Sequence, residues 1–226
     1  DVTIAGGRGV GVGAGSGLEA GGLVELERTV VVDNDGSGVT SSAGDIRLEQ
    51  STVSDNARAG VDADDDAFVT QSTVSGNGDE GVDSSDETVV VLSTVHGNGD
   101  TGVDGLELVV AQSTVTGNEV NLEANDVFLA GSAIGEATSI NCDVLTVDSF
   151  GGSLVDDTTC DLPTAEETAG SLGLGPLQAN GGRTLTRLPS ATSGLLDRIV
   201  VAACDDLDPE GFDILGEEVD QRGSSR

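Results

Sequence analysis

The sequence predicts an all-β chain, a right-handed parallel β-helix (a solenoid) built from coils of about twenty residues, with an irregular C-terminal region. Three observations lead there. A short motif returns at near-constant spacing, apolar residues fall into columns when the copies are aligned, and the composition lacks the large side chains of a thick globular core.

The motif reads Gln50-Ser-Thr-Val-Ser-Asp-Asn56, Gln71-Ser-Thr-Val-Ser-Gly-Asn77, Leu92-Ser-Thr-Val-His-Gly-Asn98 and Gln112-Ser-Thr-Val-Thr-Gly-Asn118. A degenerate copy, Arg28-Thr-Val-Val-Val-Asp-Asn34, precedes these, and Gly131-Ser-Ala-Ile134 follows them. Measured at the Ser or Thr, the steps are 22, 21, 21, 20 and 19 residues. A period near twenty without helical spacing suits one coil of stacked strands.

Alignment of the copies places Val31, Val53, Val74, Val95, Val115 and Ile134 in one β-branched column, expected to face inward. Leu26, Leu48, Val69, Val90, Val110 and Leu129 form a second, and Val24, Ile46, Ala67, Thr88, Leu108 and Val127 a third. A further short strand begins at Val39, Val61, Val82 and Val103. Alternate residues of a strand share a face, so the five-residue step from Leu48 to Val53 requires a bend near Gln50 and Ser51. Asn34, Asn56, Asn77, Asn98 and Asn118 make a turn column, readable as a hydrogen-bonded stack or as a plain duplicated turn. Gly15-Ser-Gly-Leu-Glu-Ala20 matches a dinucleotide-binding fingerprint, but Gly21-Gly22 and a strand follow where that motif needs a helix.

The composition agrees: 36% hydrophobic residues, only four Phe, no Trp or Tyr, and 34 Gly. A formal net charge of −32 without a single Lys repels nucleic acid and anionic membranes. No apolar stretch is long enough for a membrane-spanning helix. With no Met and a first strand at Val2-Thr3-Ile4, the chain reads as a mature or excised segment.

Acids stack in two outward columns: Asp45, Asp66, Glu87, Glu107 and Asp126 in one, and Asp62, Asp83 and Asp104, with Glu123 near its end, in the other. Like charges about 4.8 Å apart repel by ~0.9 kcal/mol per pair even in bulk water. Two answers compete. Ca²⁺ would use the densest oxygens, those of Asp33, Asp35, Asp62, Asp64, Asp65, Asp66, Asp83 and Asp104. Alternatively the surface is adapted to concentrated salt and holds diffuse cations, which the missing Lys and the acid excess favour.

His96 shares its column with Ser54, Ser75 and Thr116 and is expected to be an exposed substitution, without a Ser/His/Asp role. The outward pairs Thr52/Ser54, Thr73/Ser75 and Thr114/Thr116 suggest a remote ice-binding reading. A polysaccharide-binding or lyase-like enzyme is the alternative function. The chain, however, has few bases in the regular coils, Arg47 and Arg58 among them, and no Trp or Tyr platform.

The C-terminal part carries Asn141-Cys142, Gly151-Gly-Ser-Leu154, Thr159-Cys160, the block Leu174-Gly-Pro-Leu-Gln-Ala-Asn-Gly-Gly-Arg-Thr-Leu-Thr186, Leu188-Pro-Ser and Asp220-Gln-Arg-Gly223. These resemble the choice-of-anchor Q domain proteins, and the coils are similar to theirs and to polymorphic outer-membrane protein repeats. The resemblance implies a right-handed parallel β-helix, export from a prokaryotic cell and attachment by varied anchors, and supplies no catalytic residues. The family's acidic, Cys-containing end after DQRG is missing, which leaves Cys204 without its expected partner. Cys142 and Cys160 lie 18 residues apart, about one coil. A bridge and two buried thiols are both open, and export favours the bridge.

Residues 1–140 are thus read as regular coils. Residues 141–226 are read as irregular final coils and a turn-rich region, with a tight turn at Asn180-Gly181-Gly182 and an acidic segment from Asp205 to Asp220. The expected role is a non-enzymatic extracellular or cell-surface scaffold, adhesin-like and self-assembling through open coil ends. Its expected partners are other copies of itself or cell-surface and extracellular components, in a prokaryote of saline habitat.

Overall fold

The computed structural model describes residues 2–6, 15–162, 168, 170–196 and 220–223. They wind as a parallel β-solenoid of about seven turns, with no helix among the described residues. One coil runs through Thr52–Ser54, Val61–Ala63 and Ala67–Thr70, each paired in parallel with its counterparts one coil away. The Ser-Thr-Val strands make an eight-stranded face from Val2–Ala5 to Leu154–Val155. The other two faces belong to one twelve-stranded sheet and merge in the continuous strands Val120–Ala130 and Ile140–Ser149. The early coils are therefore three-cornered, and the last ones lose their third corner. Pairing in register continues past residue 140, because Cys142 extends the Leu122 position and Val155 extends the Ile134 position.

The predicted columns line the interior. Val31, Val53, Val74, Val95, Val115 and Ile134 are fully buried and pair in sequence along the axis. Thr88 is the polar member of its column. Its hydroxyl donates to the Asp104 carbonyl at 2.8 Å and lies 2.7 Å from the Ser84 hydroxyl, so the buried oxygen is satisfied.

The bend expected near Gln50 and Ser51 is a left-handed residue: Gln50, Gln71, Leu92 and Gln112 have φ of 47°, 49°, 50° and 50°. The serine that follows closes the corner. The Ser51 N–H donates to the Ser72 hydroxyl at 3.0 Å, Ser72 to Ser93 at 3.0 Å and Ser93 to Ser113 at 3.1 Å. The Ser72 hydroxyl in turn donates to the Thr70 carbonyl at 2.8 Å. The Ser of each repeat is thus a structural link between coils.

The second corner carries the asparagines as a buried ladder. Side-chain amides donate from Asn34 to Asn56, Asn56 to Asn77, Asn77 to Asn98 and Asn98 to Asn118 at 2.8, 2.9, 3.0 and 3.0 Å. The ladder then passes to Asn121 at 2.9 Å and Asn141 at 2.7 Å, and ends on the Asp156 carboxylate at 2.7 Å. A carboxylate only accepts, so it suits the donor end of the chain of amides. Gly38, Gly60, Gly81 and Gly102 make room for the ladder. A Cβ at Gly81 would lie 2.6 Å from the Asn98 Nδ2 and 2.5 Å from the Gly102 carbonyl oxygen.

The third corner has no ladder, and there the coil length varies. The steps from Val39 to Ile46, Val61 to Ala67, Val82 to Thr88 and Val103 to Leu108 are seven, six, six and five residues. From Asn34 to Val39, Asn56 to Val61, Asn77 to Val82 and Asn98 to Val103 the step is always five.

After the last coil the chain returns as an antiparallel hairpin, Leu174–Gln178 with Thr186–Pro189. Its loop contains the predicted turn, with Gly181 and Gly182 at φ 94° and 85°. Gly182 abuts residues 220–223, where an added Cβ would lie 2.5 Å from the Arg222 Cα. Hairpin and 220–223 segment cover the outer side of the Ser-Thr-Val face. The Thr73 hydroxyl donates to the Leu185 carbonyl at 2.7 Å, the Gln221 amide to the Ser72 carbonyl at 2.9 Å and the Thr94 hydroxyl to Gln221 Oε1 at 2.8 Å. Cys204 and the acidic segment up to residue 219 lie outside the described residues.

Replacing Asn77 with Ala strands the main-chain N–H and the side-chain amide of Asn56, which both donate to the Asn77 oxygen. Urea unfolding should register a loss of about 2–4 kcal/mol. Gly81→Ala is expected to lose as much without removing any hydrogen-bonding group, whereas the exposed Asp79→Ala stays within ~0.5 kcal/mol of the parent.

Candidate functional site

The acids concentrate on the corner without a ladder and on the short face beside it. Parallel register sets Asp62 beside Asp83 and Asp83 beside Asp104, and continues to Glu123 and Asp143. Asp62, Asp83 and Asp104 are half-buried, so each of these carboxylates loses water as well as facing its neighbours, whereas Glu123 and Asp143 are exposed. Burial first, then Asp104, Glu80 and Asp62, push Asp83 up to about 6. Burial first, then Glu123, also push Asp104 up to about 6, against a hydrogen bond from the Gly105 N–H. Asp62 is raised by burial, with Arg58 opposing and Asp64 adding to the rise.

At the third corner Asp45, Asp65 and Asp66 bring carboxylate oxygens within 4.8 Å of one another. Two of the three are already engaged. Arg47 pairs with Asp45 at 2.9 Å, and the Asp66 carboxylate accepts the Glu87 N–H at 3.1 Å. Asp65 is raised by what burial it has, and then by Asp66, Asp45, Asp86 and Asp64.

Of the eight residues offered for Ca²⁺, the structure therefore gathers Asp62, Asp83 and Asp104 in one row, with Asp64 beside it, and Asp65 with Asp66 in another group. Asp33 and Asp35 sit exposed at the asparagine corner and join no group of three among the described residues. Asp45, which is not among those eight, belongs to the tightest group, because density along the sequence differs from density across coils.

Cys142 and Cys160 are bonded through their sulfurs, with Cα atoms 4.9 Å apart, and fasten the last coil. The Cys142 N–H also donates to the Thr159 hydroxyl at 3.1 Å.

Two sequence expectations change here. His96 is half-buried: its Nδ1 lies 2.8 Å from the Thr116 carbonyl, and burial pushes its pKa down, with Thr116 opposing. The Thr and Ser rows are covered by the returning hairpin. Thr73, Ser75, Thr94 and Thr116 are buried while Thr52, Ser54 and Thr114 stay half-exposed, so the rows do not form the continuous wet face that ice binding needs. The physical reason is hydrogen bonding: the Thr73 hydroxyl donates to the Leu185 carbonyl and the Thr94 hydroxyl to the Gln221 side-chain oxygen, while the Gln221 amide donates to the Ser72 carbonyl.

No helix of the described residues is long and apolar enough to cross a membrane. No family model, curated protein or solved structure matches the chain.

The raised carboxylates fix a pH dependence. A folded pKa near 6 against 3.8 for an unperturbed Asp means that the folded chain binds protons more tightly than the unfolded one. This contribution is complete below about pH 4 and is lost as pH rises through 6. The double variant Asp83→Asn, Asp104→Asn should melt a few degrees higher than the parent at pH 7.5, and the gap should close by pH 4 in differential scanning calorimetry. Replacing both Cys142 and Cys160 with Ser should lower stability by about 3 kcal/mol, measured by urea unfolding.

Proposed function

We propose that the chain is a non-enzymatic scaffold of an exported or cell-surface protein, adhesin-like in class, related in kind to the choice-of-anchor Q proteins. The observation that carries this reading is the unbroken in-register stack from Val2 to Val155, whose polar groups are spent on holding coil to coil. A stack tied by valine columns and two hydrogen-bonded corners is stiff along its axis and presents long, repetitive faces. The bridge between Cys142 and Cys160 suits an oxidising compartment outside the cytoplasm.

The surface field supports the same reading. With 41 acidic and nine basic residues the molecule attracts cations and basic surfaces and turns away polyanions. Diffuse salt is the favoured counter-charge, since Arg47 and the Glu87 N–H already occupy oxygens at the tightest acid group. Catalysis by His96 finds no support: its Nδ1 is held by the Thr116 main chain and hydroxyl.

Melting should therefore rise steadily with NaCl and stay unchanged by a chelator. A sharp drop with chelator at constant ionic strength would instead establish a fixed divalent-ion site. Electron microscopy of the native material should display elongated rods or end-to-end fibres attached to cell surfaces. Rounded soluble particles that degrade an acidic polysaccharide would sink the scaffold reading.

A further inference from the structure

We infer that His96, Thr116, Arg187 and Glu136 form a clasp that holds the C-terminal hairpin on the Ser-Thr-Val face at neutral pH and lets it go in acid, an assignment independent of the scaffold reading. The clasp is built around one residue of the solenoid. The Thr116 hydroxyl oxygen accepts an N–H of Arg187 from the hairpin at 3.0 Å and lies 3.2 Å from His96 Nδ1. Nδ1 is also 2.8 Å from the Thr116 carbonyl oxygen. A carbonyl oxygen only accepts, so Nδ1 carries the proton of the neutral ring and a second proton must go to Nε2.

Arg187 is the hairpin's side of the clasp. Its side chain is 7% exposed, its Nε donates to the Gly175 carbonyl at 2.8 Å, and its head pairs with Glu136 at 2.5 Å. The charged groups acting on the imidazole are this Arg187 and Glu136, which follows the strand Ala133–Gly135. The strands on either side of His96 bring Ser75 and Thr116, both uncharged. One carboxylate therefore serves the whole cluster, and Arg187 already holds it. Protonated His96 places a second cation on the same hydroxyl oxygen as a buried guanidinium, and the hairpin can escape that conflict by lifting away.

The direction of the pH dependence follows from where the ring binds a proton more tightly. In the docked form burial lowers the His96 pKa from its ordinary 6.5, the Thr116 hydrogen bond opposes, Arg187 lowers it further and Glu136 opposes. A ring freed from the hairpin returns to water and to the ordinary value. The open form thus takes up the proton first, so docking keeps its full strength well above pH 6.5 and weakens as pH falls below it. Asp83 and Asp104 act in the opposite sense, because their raised pKa values stabilise the fold in acid. Release would bare the hydroxyls of Thr73, Thr94 and Thr116, which are buried in the closed form.

The test is an NMR titration of the full chain from about pH 7.5 to 5. His96 is the only histidine, so its ring proton reports this one site, and its midpoint should lie below 6.5. A lifted two-stranded hairpin is marginal in water, so its own ladder reports docking. Hydrogen-exchange protection of amides in Leu174–Gln178 and Thr186–Pro189 should fall in acid relative to Val74 and Val95, approaching tenfold for each unit by which the midpoint lies below 6.5. His96→Ser copies Ser54 and Ser75 of the same column and should leave hairpin protection independent of pH. The two readings on the parent decide the matter even if that variant folds poorly. A midpoint at 6.5 or above, protection that ignores pH, or an equal fall in His96→Ser would each overturn the assignment.

Discussion

A buried carboxamide must give its protons and its oxygen to partners, and in this chain the same residue one coil away meets that demand. The asparagine ladder thereby fixes the vertical register of every coil. Slipping one coil by a residue would orphan amides on both sides and turn the valine column outward, so register is held twice over. The same requirement accounts for the glycine at the start of each short strand, where any Cβ would strike the ladder or the next coil's carbonyl. It also accounts for where the repeat is allowed to drift. As far as Val103 the steps next to the asparagine corner stay constant, and the corner that lacks a ladder absorbs the difference in coil length. The next coil shortens at the asparagine corner itself, with four residues from Asn118 to Leu122, where Asn121 takes over the ladder.

The corner without a ladder is also where the charge went. Turn residues there need no specific partner across coils, so Asp64, Asp65, Asp66 and Asp86 can accumulate without disturbing the core. The row of Asp62, Asp83 and Asp104 differs, because it lies on a strand and is locked into alignment by the sheet. Freely moving acids spread apart, whereas aligned ones must answer by binding protons or counter-ions. The proton affinity of Asp83 and Asp104 comes first from their burial and then from the aligned acids beside them.

The solenoid was legible because its signals are local and repeated: β-branched residues at fixed offsets, Asn at a turn, Gly nearby. Less visible were features whose partners carry no side-chain signature. The Ser of each motif looks like a surface residue until its hydroxyl is found receiving the N–H of the previous coil. Ser153-Leu-Val155 is a further copy disguised by Leu in place of Thr: Ser153 accepts the Ser132 N–H at 3.1 Å and Val155 continues the column. The hairpin over the threonine rows was hidden for a deeper reason. It docks largely through main-chain carbonyls, which every sequence has. In this chain Gly182 lies against the Arg222 backbone, so the Asn180-Gly-Gly182 turn and the Asp220-Gln-Arg-Gly223 segment pack together although 38 residues separate Gly182 from Asp220 in sequence.

The reach of that docking bears on how the molecule comes into being. Gln221 contacts Ser72 across 149 positions and Thr184 contacts Gln71 across 113, whereas neighbouring coils join residues only about one period apart. Coils can thus accrete one upon another as the polypeptide emerges, each newcomer templated by the strand edge before it. The threonine rows of the middle coils stay bare until the final stretch has been made and delivered. A chain interrupted between Val155 and the hairpin would carry the stacked coils with an uncovered polar flank, so closure of that flank marks the arrival of the hairpin and then of Gln221.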